Sequence, residues 1–429
     1  MEQIVIIGGG AGGLELATQL GHRLGRKGKA NITLVDKNRT HIWKPLLHEV
    51  ATGSLDTSVD GVVYHAHAAR HGYVFQLGEF CDLDQVGKTI TLAPSFDSEG
   101  DQILPERKLN YDKLVVAVGS VSNDFGTPGV AEHCYFLDSH TQAERFHHGL
   151  INNFLRINQK ATADNLEIAI VGGGATGVEL SAELYHVADL LKSYGLPKMT
   201  TQQLKISLIE AGPRILPALP ERISLAARKE LVRLGVNVRE SVRVASAVEG
   251  GFMTSEGEMI RADMMIWAAG VKAPDFIQRL NVFQTNRNNQ ILVQPTLQAK
   301  GVEDVWVLGD CCACEQPDGS WVPPRAQSAH QMAACVLDNI IALSKGSTLK
   351  PYIYRDHGSL VNLSRYSTVG SLMGNLMGNS MFIEGRIARF VYISLYRMHQ
   401  IAIHGWPKAI LVILAEKLGK VVRPKMKLH

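Results

Sequence analysis

No uninterrupted apolar run in the 429-residue chain approaches the roughly 20 residues that a membrane-spanning helix needs; the longest, such as Ala409 to Ala415, fall far short. Cysteine is scarce, at six residues, which excludes the disulfide framework of a small secreted domain. A secretory pattern is also missing: Met1-Glu2-Gln3 runs directly into Ile4-Val5-Ile6-Ile7, with no basic n-region, apolar h-region or small-residue cleavage site. A cytoplasmic chain, free or attached to a surface, is the expectation. Low-complexity segments are absent as well. Glycine, by contrast, is abundant at 40 residues, which points to repeated close approaches of backbone to ligand. The length exceeds what one hydrophobic core usually organises, so more than one domain is expected.

The formal net charge of +3 conceals an asymmetry. Nine Lys/Arg fall between Met381 and His429 against only Glu384 and Glu416, while the whole chain holds 44 basic and 41 acidic residues. The body is therefore slightly acidic and the tail strongly basic. Within that tail, Ile387, Phe390, Val391, Leu395, Met398 and Ile401 recur at helical spacing, with Arg386, Arg389, Arg397 and Gln400 largely elsewhere. Pro407 then opens a second amphipathic stretch, with Ile410, Leu411, Leu414, Leu418 and Val421 set against Lys408, Lys417 and Lys420. An apolar face beside a basic one suits an anionic bilayer surface. A homodimer interface or docking on the body would also use the apolar face. Nucleic acid would leave it unused, and no binding motif accompanies the charge.

Gln3 to Ile7 reads as a buried parallel strand. It is followed by Gly8-Gly9-Gly10-Ala11-Gly12-Gly13, a helix from Leu14 to about Leu24, and a strand Ile32 to Val35 ending in Asp36. This is a βαβ unit with G-x-G-x-x-G at its first turn. A side chain there would hold a pyrophosphate away from the backbone N–H groups and helix N-terminus that bind it. Asp36 stands where an acid accepts from a ribose. One such loop is weak evidence, but the unit recurs in the middle of the chain. Glu167 to Val171, Gly172-Gly173-Gly174-Ala175-Thr176-Gly177, a helix through Leu191, and Lys205 to Ile209 ending at Glu210 form a second copy. Its glycine-to-acid spacing exceeds the usual distance of about 20 residues, and Ser193 to Pro197 reads as the loop insertion that absorbs the excess.

Later, Leu308-Gly309-Asp310 follows the apolar strand Val305-Trp306-Val307. Here the sequence resembles the two-dinucleotide-binding-domain flavoproteins, an α/β fold of two Rossmann-like domains. In these proteins an N-terminal FAD motif, a mid-chain NAD(P)H motif and a late Gly-Asp recur in this order. Ala117-Val118-Gly119 and Ala268-Ala269-Gly270 match that family's crossings between domains, with Val118 in place of a common Thr. The resemblance implies FAD on residues 1–120 and 290–345, NADH on 121–289, and a membrane-associating region over 346–429. It implies an FAD set of Gly8, Gly10, Gly12, Gly13, Asp36, Lys37, Lys44, Ala117, Gly119, Gly309, Asp310, Ala326 and Gln327, with the Asp310 carboxylate accepting from the ribityl chain. The implied NADH set is Gly172, Gly174, Ala175, Gly177, Glu179, Glu210, Ala269 and Gly270. Glu210 favours NADH, because a carboxylate repels a 2′-phosphate; Arg214, nearby, is the residue able to rescue NADPH.

Disulfide reductases of this fold need a cysteine pair against the flavin, and Asn38 to Val50 contains none. Cys311, Cys312 and Cys314 follow Asp310 directly, toward the ribityl end, and read as buried and inert, with no metal expected. On the helix opened by Pro324-Arg325-Ala326, Gln327 and Gln331 share a face at i and i+4 and present two amides to a carbonyl-bearing ring. A-Q-x-A-x-Q is the quinone-site motif of the type II NADH:quinone oxidoreductases, the non-pumping respiratory NADH dehydrogenases. With Trp43-Lys44-Pro45-Leu46-Leu47-His48-Glu49 and the stretch Tyr366 to His404, the resemblance to proteobacterial members covers essentially the whole chain. It implies a peripheral enzyme on the cytoplasmic face of the bacterial inner membrane, passing electrons from NADH through FAD to ubiquinone or menaquinone. Glu179 would position the nicotinamide or relay a proton. Gln327, Gln331 and His330 would form the quinone site, with His357 a further proton donor. The rivals are another quinone or ferredoxin-type reductase of the same fold, and an NADH-sensing flavoprotein without significant turnover.

Overall fold

The apolar runs between glycine turns become strands covered on both faces, which is why they read as continuous rather than alternating. The structure, a computed structural model, describes residues 1–55, 61–97, 99–159, 165–191, 194, 200–363, 367–373, 380–384 and 396–422. The chain divides into two compact units: Met1–Lys44, Gly61–Val121 and Val271–Arg355 make the first, and Pro45–Asp60, Ser122–Gly270 and Asp356–His429 the second. The division differs from the expected boundaries. Residues 45–60 belong with the second unit, 271–289 and 346–355 with the first, and 356–429 count with the second unit rather than as a third.

In the first unit a six-stranded sheet runs in the order Gln298–Ala299, Val302–Val307, Lys113–Val116, Glu2–Ile7, Ala30–Asp36, Val74–Leu77. All neighbours are parallel except the first pair. Ile4, Ile6, Leu34, Val115 and Trp306 are buried in its core. Helix Ala11–Arg23 crosses between the two central strands, beginning at Ala11 rather than the expected Leu14. The difference is physical: Gly12 and Gly13 have poor helix propensity, yet the missing side chain of Gly12 admits Ala326–Leu343, the helix packed alongside, and that of Gly13 admits the Gly8 carbonyl. A Cβ on Gly12 would come within 2.6 Å of Leu308 Cδ1 and 2.9 Å of the Ala329 carbonyl.

The second unit repeats the plan with four parallel strands in the order Asn237–Arg239, Leu204–Ile209, Leu166–Val171, Met264–Trp267. An antiparallel meander, Val244–Val248, Gly251–Thr254 and Met259–Arg261, closes its core around Phe252 and Trp267. Burial of these rings dominates the local energetics: emptying one such site costs about 3–5 kcal/mol, against a few tenths for a surface pair such as Arg233–Glu230. A C-terminal antiparallel sheet places Gly358–Leu363 on helix Ala175–Leu191 and Ser367–Met373 on helix Glu221–Leu234. Residues 396–404 form a helix, and Trp406–Val422 follows as another. Arg397 and Gln400 on the former bind Glu416 on the latter at 2.6 and 2.9 Å. The stretch expected from Arg386 to Leu395, the loop from Ser193 to Pro197 apart from Tyr194, and Arg423 lie outside the described residues.

In the first unit the two helices that meet at Gly12 are also joined by charge. The His330 Nδ1 donates to the buried Glu15 carboxylate, and this hydrogen bond raises the His330 pKa above its ordinary value against the opposing effect of burial. A raised folded-state pKa stabilises the fold fully below the unfolded value near 6.5, and that contribution disappears as pH rises through the folded value. Urea unfolding should therefore show a stability loss across that window, and Glu15→Gln should flatten it. An unchanged slope in the variant would assign the pH dependence to another group.

Candidate functional site

Both glycine loops use the same geometry. Gly8 and Gly172 turn the chain at φ +101° and +113°, a region that L side chains rarely adopt. A Cβ on Gly13 would stand 1.9 Å from the Gly8 carbonyl oxygen, and one on Gly177 2.1 Å from that of Gly172. These contacts let each helix, Ala11–Arg23 and Ala175–Leu191, start directly against its strand. The middle glycines face the other way: a Cβ on Gly10 or Gly174 meets nothing within 4 Å. Each loop therefore leaves open space beside a helix N-terminus, which is what a pyrophosphate requires. The acids close the arrangement. Asp36 Oδ2 accepts the Gly9 N–H at 2.7 Å, and Glu210 Oε2 accepts the Gly173 N–H at 2.7 Å. Burial raises the Asp36 pKa against the lowering effect of its hydrogen bonds from Asn38 and Gly9.

In the first unit the parallel sheet brings distant segments of the implied FAD set together. Ala117 lies under the Gly8 turn, where a Cβ would meet its carbonyl oxygen at 2.3 Å. Gly119 and Gly309 both adopt positive φ, +71° and +78°, and nothing lies within 4 Å of a Cβ on Gly119. Ser120 donates its hydroxyl to Asp310 Oδ2 at 2.8 Å, and Lys44 donates to the Ser120 carbonyl at 2.8 Å and to its hydroxyl oxygen at 3.2 Å. Gln290 donates to the Asp310 carbonyl at 2.8 Å. Sequence reasoning missed Ser120 and Gln290; Ser120's place directly after Ala117-Val118-Gly119 was the available signal. Lys37 is not gathered in: it pairs with Glu79 at 3.6 Å on the exposed surface. Ala326 and Gln327 begin their helix with Arg325 as an N-cap that makes no side-chain bond to it.

The proposed quinone residues have partners. Gln331 donates to the Arg355 carbonyl at 2.8 Å and accepts the Arg355 N–H at 3.0 Å, so both ends of its amide hold one backbone residue. Gln327 accepts from the Tyr354 hydroxyl at 3.2 Å. His330 is bound to Glu15, and His357 is exposed. Cys311, Cys312 and Cys314 are buried, and burial raises all three thiols, Cys311 to about 12 and Cys314 to about 11. Neutral thiols of this kind are poor nucleophiles.

In the second unit Ala175 opens the helix behind Gly174, and Glu179 and Glu183 stand one turn apart on it, both buried. His48, on helix Leu47–Thr52, places Nδ1 3.7 Å from Glu179, and the Ser54 hydroxyl donates to Glu183. Burial lowers the His48 pKa against the pull of Glu183, which favours neutral imidazole. His48, Ser54 and Glu183 went unrecognised in the sequence, although His48 lies in the family-like segment. Arg214 Nη2 donates to the Pro217 carbonyl at 3.1 Å, within its own loop. Ala269 packs against the Phe252–Trp267 core, and Gly270, at φ +64°, lies under the Phe125 ring.

The chain is similar to known proteins over its whole length. Residues 2–333 match the family described as pyridine nucleotide-disulphide oxidoreductase. A type II NADH:quinone oxidoreductase of Haemophilus influenzae is 46% identical, covering 100% of both chains. Among solved structures, NDH2 from Plasmodium falciparum in complex with NADH superposes with TM-score 0.83 at 20% identity, over 99% of this chain and 100% of that one. A sulfide:quinone oxidoreductase from Aquifex aeolicus shares the fold at TM-score 0.74 and 16% identity, over 94% and 92%.

The two open glycines separate the loops experimentally. Gly10→Ala and Gly174→Ala should each fold with an unchanged melting temperature, the first losing affinity for FAD alone and the second for NADH alone. Titration of each dinucleotide against each variant checks this, and a variant that loses both would link the loops.

Proposed function

We propose how this chain, which belongs to the pyridine nucleotide-disulphide oxidoreductase family and within it to the type II NADH:quinone oxidoreductases, carries electrons from NADH to quinone. It is an oxidoreductase that uses FAD and NADH and reduces a quinone. The observation that carries the division of labour is one glycine-loop geometry built twice, once in each unit. Bound FAD supplies the hydride acceptor and two-electron donor that no side chain provides.

In this reading the first unit holds FAD: the Gly8 loop takes the pyrophosphate, Asp36 the adenosine ribose, and Asp310, steadied by Ser120 and Lys44, the ribityl chain. The second unit holds NADH on the Gly172 loop, with Glu210 on the ribose. Glu210 favours NADH, because its carboxylate repels a 2′-phosphate, while Arg214 holds the Pro217 carbonyl through Nη2. Glu179 and neutral His48 provide an acceptor and a proton site for orienting the nicotinamide. The quinone head binds beside Gln327, while Gln331 fixes the Tyr354–Arg355 backbone that borders it.

The quinone is reached from the membrane surface. Among the described residues no helix is long and apolar enough to cross a bilayer. Trp406, Ile410, Leu411, Leu414 and Leu418 form an exposed apolar stripe on helix Trp406–Val422, which suits insertion of one face into an anionic surface. With the basic tail, this supports a peripheral enzyme on the cytoplasmic face of a bacterial inner membrane.

Purified protein should oxidise NADH with a short-chain ubiquinone. Gln327→Ala should raise the quinone KM about tenfold, the scale of one lost hydrogen bond, while stopped-flow reduction of FAD by NADH keeps its rate. Equal slowing of flavin reduction would move Gln327 out of the quinone step. The double variant Leu411→Glu/Leu414→Glu should stop sedimenting with phosphatidylglycerol vesicles yet still reduce soluble quinone. Retained vesicle binding with loss of a dimer would instead give the stripe to a second copy of the chain.

A further inference from the structure

In the first glycine loop, one peptide group is fastened by side chains that neither motif names. The Gly9 carbonyl oxygen accepts the Tyr64 hydroxyl at 2.7 Å and His41 Nδ1 at 2.9 Å. Both side chains are buried. A carbonyl only accepts, so His41 carries its proton on Nδ1. Burial, with smaller effects from Asp36 and Tyr73, holds the Tyr64 phenol well above its ordinary pKa, so it stays a donor. The two residues are presented together: Thr40–His41 pairs antiparallel with Val62–Val63, and Tyr64 follows immediately, its ring stacked on Phe75 at 4.9 Å.

The consequence follows from peptide planarity. In a trans peptide the C=O and N–H point in opposite directions. With the Gly9 C=O turned toward His41 and Tyr64, the Gly10 N–H must point away from them, at a residue whose own Cβ would meet nothing within 4 Å. The Gly9 N–H is already turned inward onto Asp36, so both polar groups of Gly9 are fixed. In the second loop the Gly173 carbonyl accepts the backbone N–H of Leu216 at 2.7 Å. The same peptide is thus oriented in both loops, by two buried side chains in one and by one backbone donor in the other.

We infer that His41 and Tyr64 are positioning residues for FAD: by holding the Gly9 carbonyl inward they aim the Gly10 N–H at the cofactor pyrophosphate and thereby set FAD affinity. This rests on the assignment of the first loop to FAD. The test titrates FAD into apoprotein by flavin fluorescence, and NADH in parallel, for His41→Leu, Tyr64→Phe, their combination, and His41→Asn, whose amide keeps a donor near the Nδ1 position. Tyr64→Phe retains the stack on Phe75. Each lost donor should weaken FAD binding about tenfold, with NADH affinity unchanged and His41→Asn recovering most of the loss. Unchanged FAD affinity in the folded double variant, or FAD and NADH affinities falling together, would overturn the inference. The assignment beneath it fails separately, if Gly10→Ala leaves FAD binding intact.

Discussion

The contact between a glycine Cα and a carbonyl oxygen at the start of each βαβ unit constrains everything built on it. Gly13 under Gly8, and Gly177 under Gly172, leave no room for a methyl group, and only that approach lets a helix begin directly behind its strand. A helix placed so close turns its unsatisfied N–H groups toward the end of the sheet. The acid at the end of the next strand, Asp36 or Glu210, then falls within 2.7 Å of the loop's second glycine amide. Neighbouring strands bring the remaining groups to the same edge: Lys113–Val116 delivers Ala117, Gly119 and Ser120, and Val302–Val307 delivers Gly309 and Asp310. Segments far apart in the chain converge because parallel strands all end on the same side.

That constraint also explains which parts were legible beforehand. A position that needs positive φ or the absence of a Cβ admits little but glycine, so both loops could be read letter by letter, with their strands and terminal acids. The helix start was misjudged at Leu14 because the glycines that weaken helix propensity are the ones packing requires. Ser120, Gln290, His48 and Glu183 stayed hidden for another reason. Each acts through a partner outside its own segment, and only Ser120, directly after Ala117-Val118-Gly119, stands where a local pattern pointed. Gln327 and Gln331 were placed correctly on one helix face, but the attachment of Gln331 to the Arg355 backbone depends on how a later segment folds back. The cysteines illustrate the reverse case. A C-x-x-C spacing suggests chemistry, and burial, which holds these thiols protonated, removes it.

The tail separates pattern from partner in a similar way. Helical spacing of apolar residues from Ile410 to Leu418 anticipated a one-sided helix, and that side is exposed. Its fixed neighbour is the preceding helix, joined by Arg397, Gln400 and Glu416. An ion pair that is four-fifths buried joins the two helices.

The two loops differ in what holds the peptide behind them. The loop assigned to FAD has its Gly9–Gly10 peptide held by two buried side chains, His41 and Tyr64. The loop assigned to NADH has the corresponding peptide held by Leu216, from the segment just after its own acid. Of the two donors on the first loop only Tyr64 comes from well beyond the βαβ unit's acid, and this additional donor lowers the reorganisation needed to bind, because the amide is oriented before the ligand arrives. One backbone geometry is thus built twice with different donors behind the loop, and the difference lies in those donors rather than in the glycines.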